Sequence, residues 1–246
     1  MYTDKKYWKN YYLDSITSQK QIISICSAYD DYWDLFVNSC KSPPKNILEI
    51  GAYPGRYLSY LAWKYKLIPT AIDFNPDKKT IENSIKSMGV NNYNIICKDF
   101  TKWNPINRYD LIISIGFIEH FDNFNQILDR HVKLLSKNGA ILFMIPNKRG
   151  LRRIYGILCD KKNLNHHNLD CMSKEVFKKF ALKNNLNTHL LEYYGSFQYS
   201  VHQNLNIIQR IIYKFVRYFS LKYKNYMLNN PSWIYSAGIV GIFSKK

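Results

Sequence analysis

The sequence predicts an α/β fold, a doubly wound, mostly parallel sheet of seven strands with helices on both faces. Three observations point there. From residue 43 onward, short apolar runs alternate with stretches of helical length and periodicity. Strands alternating with helices specify a parallel sheet covered on both sides. Acidic residues and glycines stand where the apolar runs end, and such sheets place their ligands at the strand ends.

Each element has its own warrant. Residues 1–42 are rich in Tyr and Trp and read as two helices, broken near 15–19 and stopped by Ser42-Pro43-Pro44, which together suit an N-terminal lid. The main domain takes residues 43–246. Its first strand, 46–50, ends at Gly51, and a helix over 56–65 leads to a strand over 70–73. Pro76-Asp77 opens a helix over 78–88, and Gly89 closes it before the strand at 94–97. Residues 109–114 form a buried strand, 124–135 a helix, and Gly139 opens a strand over 140–145. A helix over 173–183 and a strand over 188–193 follow. A helical insertion at about 196–231, with a long basic helix over 203–224, precedes the last strand, 235–244.

Composition excludes several classes. With 46% hydrophobic and 16% aromatic residues the chain is not disordered. Its longest apolar run, Ala237–Phe243, is too short to span a bilayer, and the start MYTDKKYW lacks a signal peptide's apolar stretch, so a cytoplasmic protein is expected. Five cysteines without a C-x-x-C pair suit reduced thiols, and no metal is expected. The net charge of +17 is concentrated: residues 148–224 hold fifteen Lys/Arg against four Asp/Glu, the first 147 residues eighteen against fourteen. Such a field draws phosphates, nucleic acid or an anionic membrane surface, unless it is only a set of solvated lysine faces.

The strand ends carry the chemistry. Glu49-Ile50-Gly51-Ala52-Tyr53-Pro54-Gly55 is an acid entering a glycine turn that opens a helix, whose free N–H groups suit a carboxylate or phosphate. Asp73 ends the second strand and suits two ribose hydroxyls. Asp99-Phe100 ends the third, offering an acceptor for an exocyclic amine beside an apolar face for a purine. Three acidic strand ends in series say more than one glycine turn.

Together with the segment from Tyr109 to His120 and the run from Leu134 to Ala140 that leads to Ile145-Pro146-Asn147, these stretches resemble the class I S-adenosylmethionine-dependent methyltransferases over about residues 40–195, the last strand also fitting. The resemblance implies a Rossmann-like fold, S-adenosylmethionine as cofactor and S-adenosylhomocysteine as product. It implies that Gly51, Ala52 and Gly55 line the methionine portion with Glu49 supporting the turn, and that Asp73, with Phe74 beside it, binds ribose. Asp99 and Phe100 would hold adenine, and Ser114 and Ile115 would present backbone to the cofactor's amino group. The family's turn is G-x-G-x-G, and Tyr53 stands here at the middle glycine, so its side chain must point away from the cofactor or reshape the methionine end. A nicotinamide dehydrogenase would share a glycine turn and a later acid, but the G-x-G-x-x-G fingerprint is absent. Tyr53 also leaves open a non-catalytic, cofactor-binding accessory protein.

Methyl transfer from a sulfonium is an in-line displacement, and a hydroxyl acceptor needs help in losing its proton. His120, just past the fourth strand, is the first candidate base; His166 and His167 are the second, because related enzymes often carry a histidine shortly before the helix matching 173–183. The pair with Asp170 and Cys171 lacks the i, i+4 spacing of a helical metal site. Substrate contacts are expected from Tyr11 and Tyr12 in the lid, Asn147 after the strand at 140–145, and Arg210 on the basic helix. Relatives that methylate nucleobase amines carry Asn/Asp/Ser-Pro-Pro-aromatic after the fourth strand; this chain has Ser114-Ile115-Gly116-Phe117, so no specific nucleic-acid partner is expected. The acceptor that remains is an anionic small molecule, phosphorylated or nucleotide-linked, methylated on oxygen. The overall layout is similar to small-molecule methyltransferases of bacterial surface-glycan and capsule pathways. A lipid or quinone methylated through peripheral membrane contact is the alternative.

Overall fold

A computed structural model describes residues 18–75 and 77–246. In chain order the elements are α1 (Gln19–Cys26), α2 (Asp30–Asn38), β1 (Asn46–Ile50), α3 (Arg56–Tyr65), β2 (Ile68–Asp73), α4 (Lys78–Ser87), β3 (Asn94–Cys97), β4 (Tyr109–Ile115), α5 (Phe124–Leu134), β5 (Leu135–Pro146), α6 (Gly150–Cys159), α7 (Lys161–Leu164), α8 (Lys174–Lys183), β6 (Leu186–Tyr194), α9 (Ile207–Lys222), α10 (Lys224–Asn229) and β7 (Gly238–Lys245). The seven strands form one sheet in the order β3-β2-β1-β4-β5-β7-β6. Pairing is parallel from β3 to β5, and β7 runs antiparallel to β5 and β6. This is the Rossmann-like sheet the sequence predicts.

The two-residue period of the strands divides the core. Leu48, Ile50, Ile112, Ile141 and Phe143 face α5 and α8, where Leu128, Val132, Phe177 and Phe180 meet them. Ile47, Leu111, Ile113, Leu142 and Ile242 face the opposite way, onto Ile22, Trp33, Phe36, Leu58 and Ile81. Both faces are therefore dry, as a parallel sheet requires. A third, smaller cluster of Tyr155, Cys159, Phe197 and Met227 joins α6, α10 and the segment after β6.

Several expectations need correction. Residues 18–38 do not stand off as a lid: Ile22, Cys26, Trp33 and Phe36 are fully buried in the same cluster as the sheet, and Trp33 Nε1 donates to the Cys26 carbonyl at 2.9 Å. Tyr11, Tyr12 and residues 15–17 of the expected break lie outside the described residues, and its last residue, Gln19, opens α1. The long basic helix is two helices. It starts at Ile207 because Asn206 and Gln209 form a reciprocal capping box, and α10 begins after a break at Tyr223. The last strand begins at Gly238, because residues 232–236 close a turn in which the Ser232 N–H donates to Ser236 Oγ at 2.8 Å. Helix α6, unpredicted, follows β5 directly.

Phe143 is fully buried amid the rings of His131, Phe177, Phe180 and Phe243. Phe143→Ala should cost about 3–5 kcal/mol of stability. Urea unfolding reads this directly, and a loss under ~1 kcal/mol would contradict the packing described.

Candidate active site

All the parallel strands end at one edge of the sheet, and two connected cavities open there. The first is a narrow cleft between the ends of β1, β2 and β3, lined by Gly51, Asp73, Phe74, Asp99, Phe100 and Ile115 among others. The second, about 400 Å³, runs from the turn after β1, along Gly51 to Tyr57, past the ends of β4 and β5 to α6. Gly51, Tyr53, Ile115, Gly116 and His120 line both.

The cleft is shaped by the turn after β1. Gly51 adopts φ +74°, and a side chain there would collide with the Phe117 ring. The N–H groups of Gly51 and Ala52 donate to the Ile72 carbonyl at 2.9 and 3.2 Å, which folds the turn over the end of β2. Glu49 Oε2 accepts from the Leu58 N–H at 3.1 Å and so fastens the first turn of α3; burial pushes its carboxyl up to about 8. Gly55, at φ +92°, caps α3. Tyr53, at the family's middle-glycine position, turns its ring aside: its hydroxyl donates to Asp77 Oδ2 at 3.2 Å, beside the start of α4. Its backbone N–H donates to Asp73 Oδ2 at 3.1 Å.

Asp73 is thus held by backbone donors, Asn75 N–H at 2.8 Å and Phe74 joining Tyr53, while burial raises its pKa. Asp99 is exposed and caps the turn that follows β3, accepting from Thr101 N and Oγ1, both at 2.8 Å. Phe100 is buried edge-on to Phe117, ring centroids 5.8 Å apart, which gives the far end of the cleft its apolar walls. Ser114 is fully buried in β4 and lines neither cavity, whereas Ile115 lines both.

The second cavity gathers the histidines. The Asn168 N–H donates to the Glu119 carbonyl at 2.6 Å and Asn168 Nδ2 to the Phe121 carbonyl at 3.1 Å, so the 165–171 loop is stapled onto the end of β4. His120 and His167 then lie with ring centroids 4.8 Å apart. Each gives its Nδ1 hydrogen to a carbonyl, His120 to His166 at 2.9 Å and His167 to Asn163 at 2.7 Å, which makes Nε2 the lone-pair nitrogen in both. Burial pulls His120 down to about 4 and His167 further still. The His166 ring lines neither cavity.

Sequence reasoning, which gives Glu119 a capping or buttressing role, missed Lys148 and Arg152 at this cavity. Glu119 lines it, 1% exposed, with Oε1 4.0 Å from His120 Nε2 and a carboxyl that burial raises to about 8. Lys148 and Arg152 line it too, and burial lowers them to about 8 and about 10. Arg152 Nη1 is fixed by the carbonyls of Asn147 and Ala237 at 2.8 and 2.6 Å. The available signal was the run Lys148-Arg149-Gly150-Leu151-Arg152-Arg153 just past a strand end. Where no metal was expected, Glu119, His120 and His167 bring donor atoms within 4.8 Å of one another; Lys148 already sets a positive charge beside them. Asp170 and Cys171 are not in that set.

Two expected substrate contacts are absent from both cavities. Asn147 is fully buried, its Nδ2 donating to the carbonyls of Trp233 and Ser236 at 3.0 and 3.1 Å, so it fastens the turn before β7. Arg210 is exposed, and its Nε donates back to the Leu205 carbonyl at 3.0 Å.

Solved structures share this architecture. A SAM-dependent methyltransferase from Archaeoglobus fulgidus is similar over 99% of this chain and 100% of its own, with TM-score 0.56 and 14% identity. The N-methyltransferase NodS from Bradyrhizobium japonicum WM9, in complex with S-adenosyl-L-homocysteine, is similar over 89% of this chain and 86% of its own, with TM-score 0.54 and 15% identity. Coclaurine N-methyltransferase, bound to N-methylheliamine and SAH, covers 94% of this chain with 75% of its own, at TM-score 0.57 and 16% identity. No curated protein matches the chain. The family described as methyltransferase domain matches residues 26–206, a span holding β1 to β6 and every described side chain named at the two cavities except those of β7 and its approach. The chain belongs to the methyltransferase domain family, on the class I fold that its strand-end residues led us to expect.

Proposed function

We propose that the protein transfers the methyl group of S-adenosylmethionine to an oxygen of an anionic small molecule, such as a phosphorylated or nucleotide-linked surface-glycan precursor. The observation that carries this reading is the pair of buried cations, Lys148 and Arg152, lining the cavity that meets the cleft at His120. Burial destabilises the charge of both, and Asp160 and Glu119 offset that only in part for Lys148. An anion entering the cavity relieves that penalty.

The cleft takes the cofactor's ribose at Asp73 and its adenine at Asp99 with Phe100, and the turn at Gly51 to Gly55, which borders the second cavity, takes the methionine portion. S-adenosylmethionine supplies an electrophilic methyl group. The chain's own residues hold the acceptor oxygen in line with it and receive a proton at Nε2 of His120 or His167. Both rings are neutral at physiological pH, the form a base requires. The similar structures include N-methyltransferases, so the fold alone does not select oxygen; mass spectrometry of the product, with the acceptor's hydroxyls or amines blocked in turn, does.

Two measurements test the assignment. Calorimetry with S-adenosylhomocysteine should show Asp73→Ala and Asp99→Ala weakened roughly ten- to a hundredfold; unchanged affinity in both would remove the cofactor from this cleft. His120→Ala or His167→Ala should keep cofactor binding and lose on the order of 10²–10⁴ in turnover, with His166→Ala much less affected. If all three variants turn over normally, the acceptor needs no base.

The pH profile carries a separate signature. His120 takes a proton only as pH falls through about 4, so kcat/KM should stay flat on the acid side well below the ~6.5 of an ordinary histidine. Lys148 loses its proton as pH rises through about 8, so the acceptor's KM should climb there. Lys148→Arg should move that climb to higher pH. An alkaline limb identical in wild type and variant would dissociate Lys148 from acceptor binding.

A further inference from the structure

Large exposed apolar side chains crowd one side of the molecule. Helix α6 has two faces: Arg152, Tyr155, Gly156 and Asp160 just beyond it line the second cavity, while Leu151, Ile154, Ile157 and Leu158 are 47–57% exposed on the opposite side. Helix α9 likewise has two apolar stripes. Ile212, Tyr213 and Val216 pack inward around Tyr155 and Met227. Ile207, Ile208, Ile211, Phe215 and Tyr218 form the second stripe, each 58–77% exposed.

These patches are continuous. Gln209 Nε2 donates to the Leu158 carbonyl at 2.8 Å, joining the start of α9 to the end of α6, and the Leu151 N–H donates to the Ile234 carbonyl at 2.8 Å, which brings exposed Trp233 and Ile234 against the other end of α6. Along α9 the exposed stripe is flanked by Arg210, Lys214 and Arg217, all exposed, one helical turn apart. Among the described residues no helix is long and apolar enough to cross a membrane.

We propose that the outer face of α6 and α9 docks on the surface of an anionic phospholipid bilayer, with the apolar stripe in the acyl boundary and the basic row on the lipid phosphates. An apolar face bordered by cations, with a tryptophan at its margin, has the composition of an interfacial helix surface. A second copy of the chain is the poorer occupant, because a two-fold contact through this face sets one basic border against another. Resting on the reading given under Proposed function, docking has a further effect. Because α6 walls the cavity with one face and meets lipid with the other, the acceptor site stands one helix diameter from the membrane. That geometry suits an acceptor carried on a lipid.

Flotation with vesicles of phosphatidylglycerol and phosphatidylcholine tests the proposal on the full chain. The protein should float with mixed vesicles, remain behind with phosphatidylcholine alone, and detach at high salt. Ile211→Glu combined with Phe215→Glu alters only exposed positions; it should retain wild-type affinity for S-adenosylhomocysteine and lose flotation. Neutralising Arg210, Lys214 and Arg217 to Gln should weaken vesicle binding roughly a hundredfold. No flotation by the wild type would overturn docking, as would a concentration-dependent dimer that the Ile211/Phe215 variant dissolves. Homocysteine-product binding is read independently, so failure of docking and failure of the methyltransferase reading separate cleanly.

Discussion

Parallel pairing is the constraint on which the site depends. Because β1 to β5 all run the same way, their carboxyl ends and the loops that leave them are forced onto one edge. Residues far apart in sequence then need only short-range bonds to converge. The Ile72 carbonyl receives two N–H groups from the turn after β1, and Asp73 fixes Tyr53 from the same strand end. Across the sheet, Asn168 ties its loop to Glu119 and Phe121. The first set makes the cleft and the second makes the neighbouring cavity.

A single cause accounts for the electrostatics of that cavity. Removal of water raises Glu119 and lowers His120 and Lys148, each change favouring the neutral form. Glu119 and the two histidines are therefore neutral at neutral pH, while Lys148, lowered only to about 8, and Arg152, lowered to about 10, keep most of their positive charge. An anionic guest strengthens Lys148's hold on its proton, while Glu119 and the two histidines share a region where small changes in charge are felt strongly.

Much of this was legible in the sequence where periodicity and position coincide. Asp73, Asp99 and His120 follow strands with apolar runs of their own, and a strand end in a parallel sheet has only one place to be. Helix α6 was not legible, since Gly150 and Gly156 weaken its pattern, and Gly150 is explained only by tertiary packing: a Cβ there, at φ +56°, would strike the Ile234 backbone. Lys148 and Arg152 were hidden with it inside a bulk charge count. In α9 the apolar residues run in two stripes, Ile212 and Val216 facing inward and Ile208 and Phe215 outward, which an expectation of one long basic helix does not separate. Periodicity announces a helix, but two apolar stripes leave open which of them meets its own domain. Asn147 and Arg210 misled for a related reason: both have the right chemistry for a ligand, and both spend it on nearby carbonyls.

In the proposed reading, where His120 or His167 takes the acceptor's proton, the tautomers of the two rings limit how the cycle resets. Both Nδ1 hydrogens are committed to backbone carbonyls on the protein side, so neither ring can pass a proton through itself into the interior. A proton captured at Nε2 must leave by the same mouth through which the acceptor arrives. On that reading, departure of the methylated product and discharge of its proton would be events in one channel, and an occupant that lingers there would delay both.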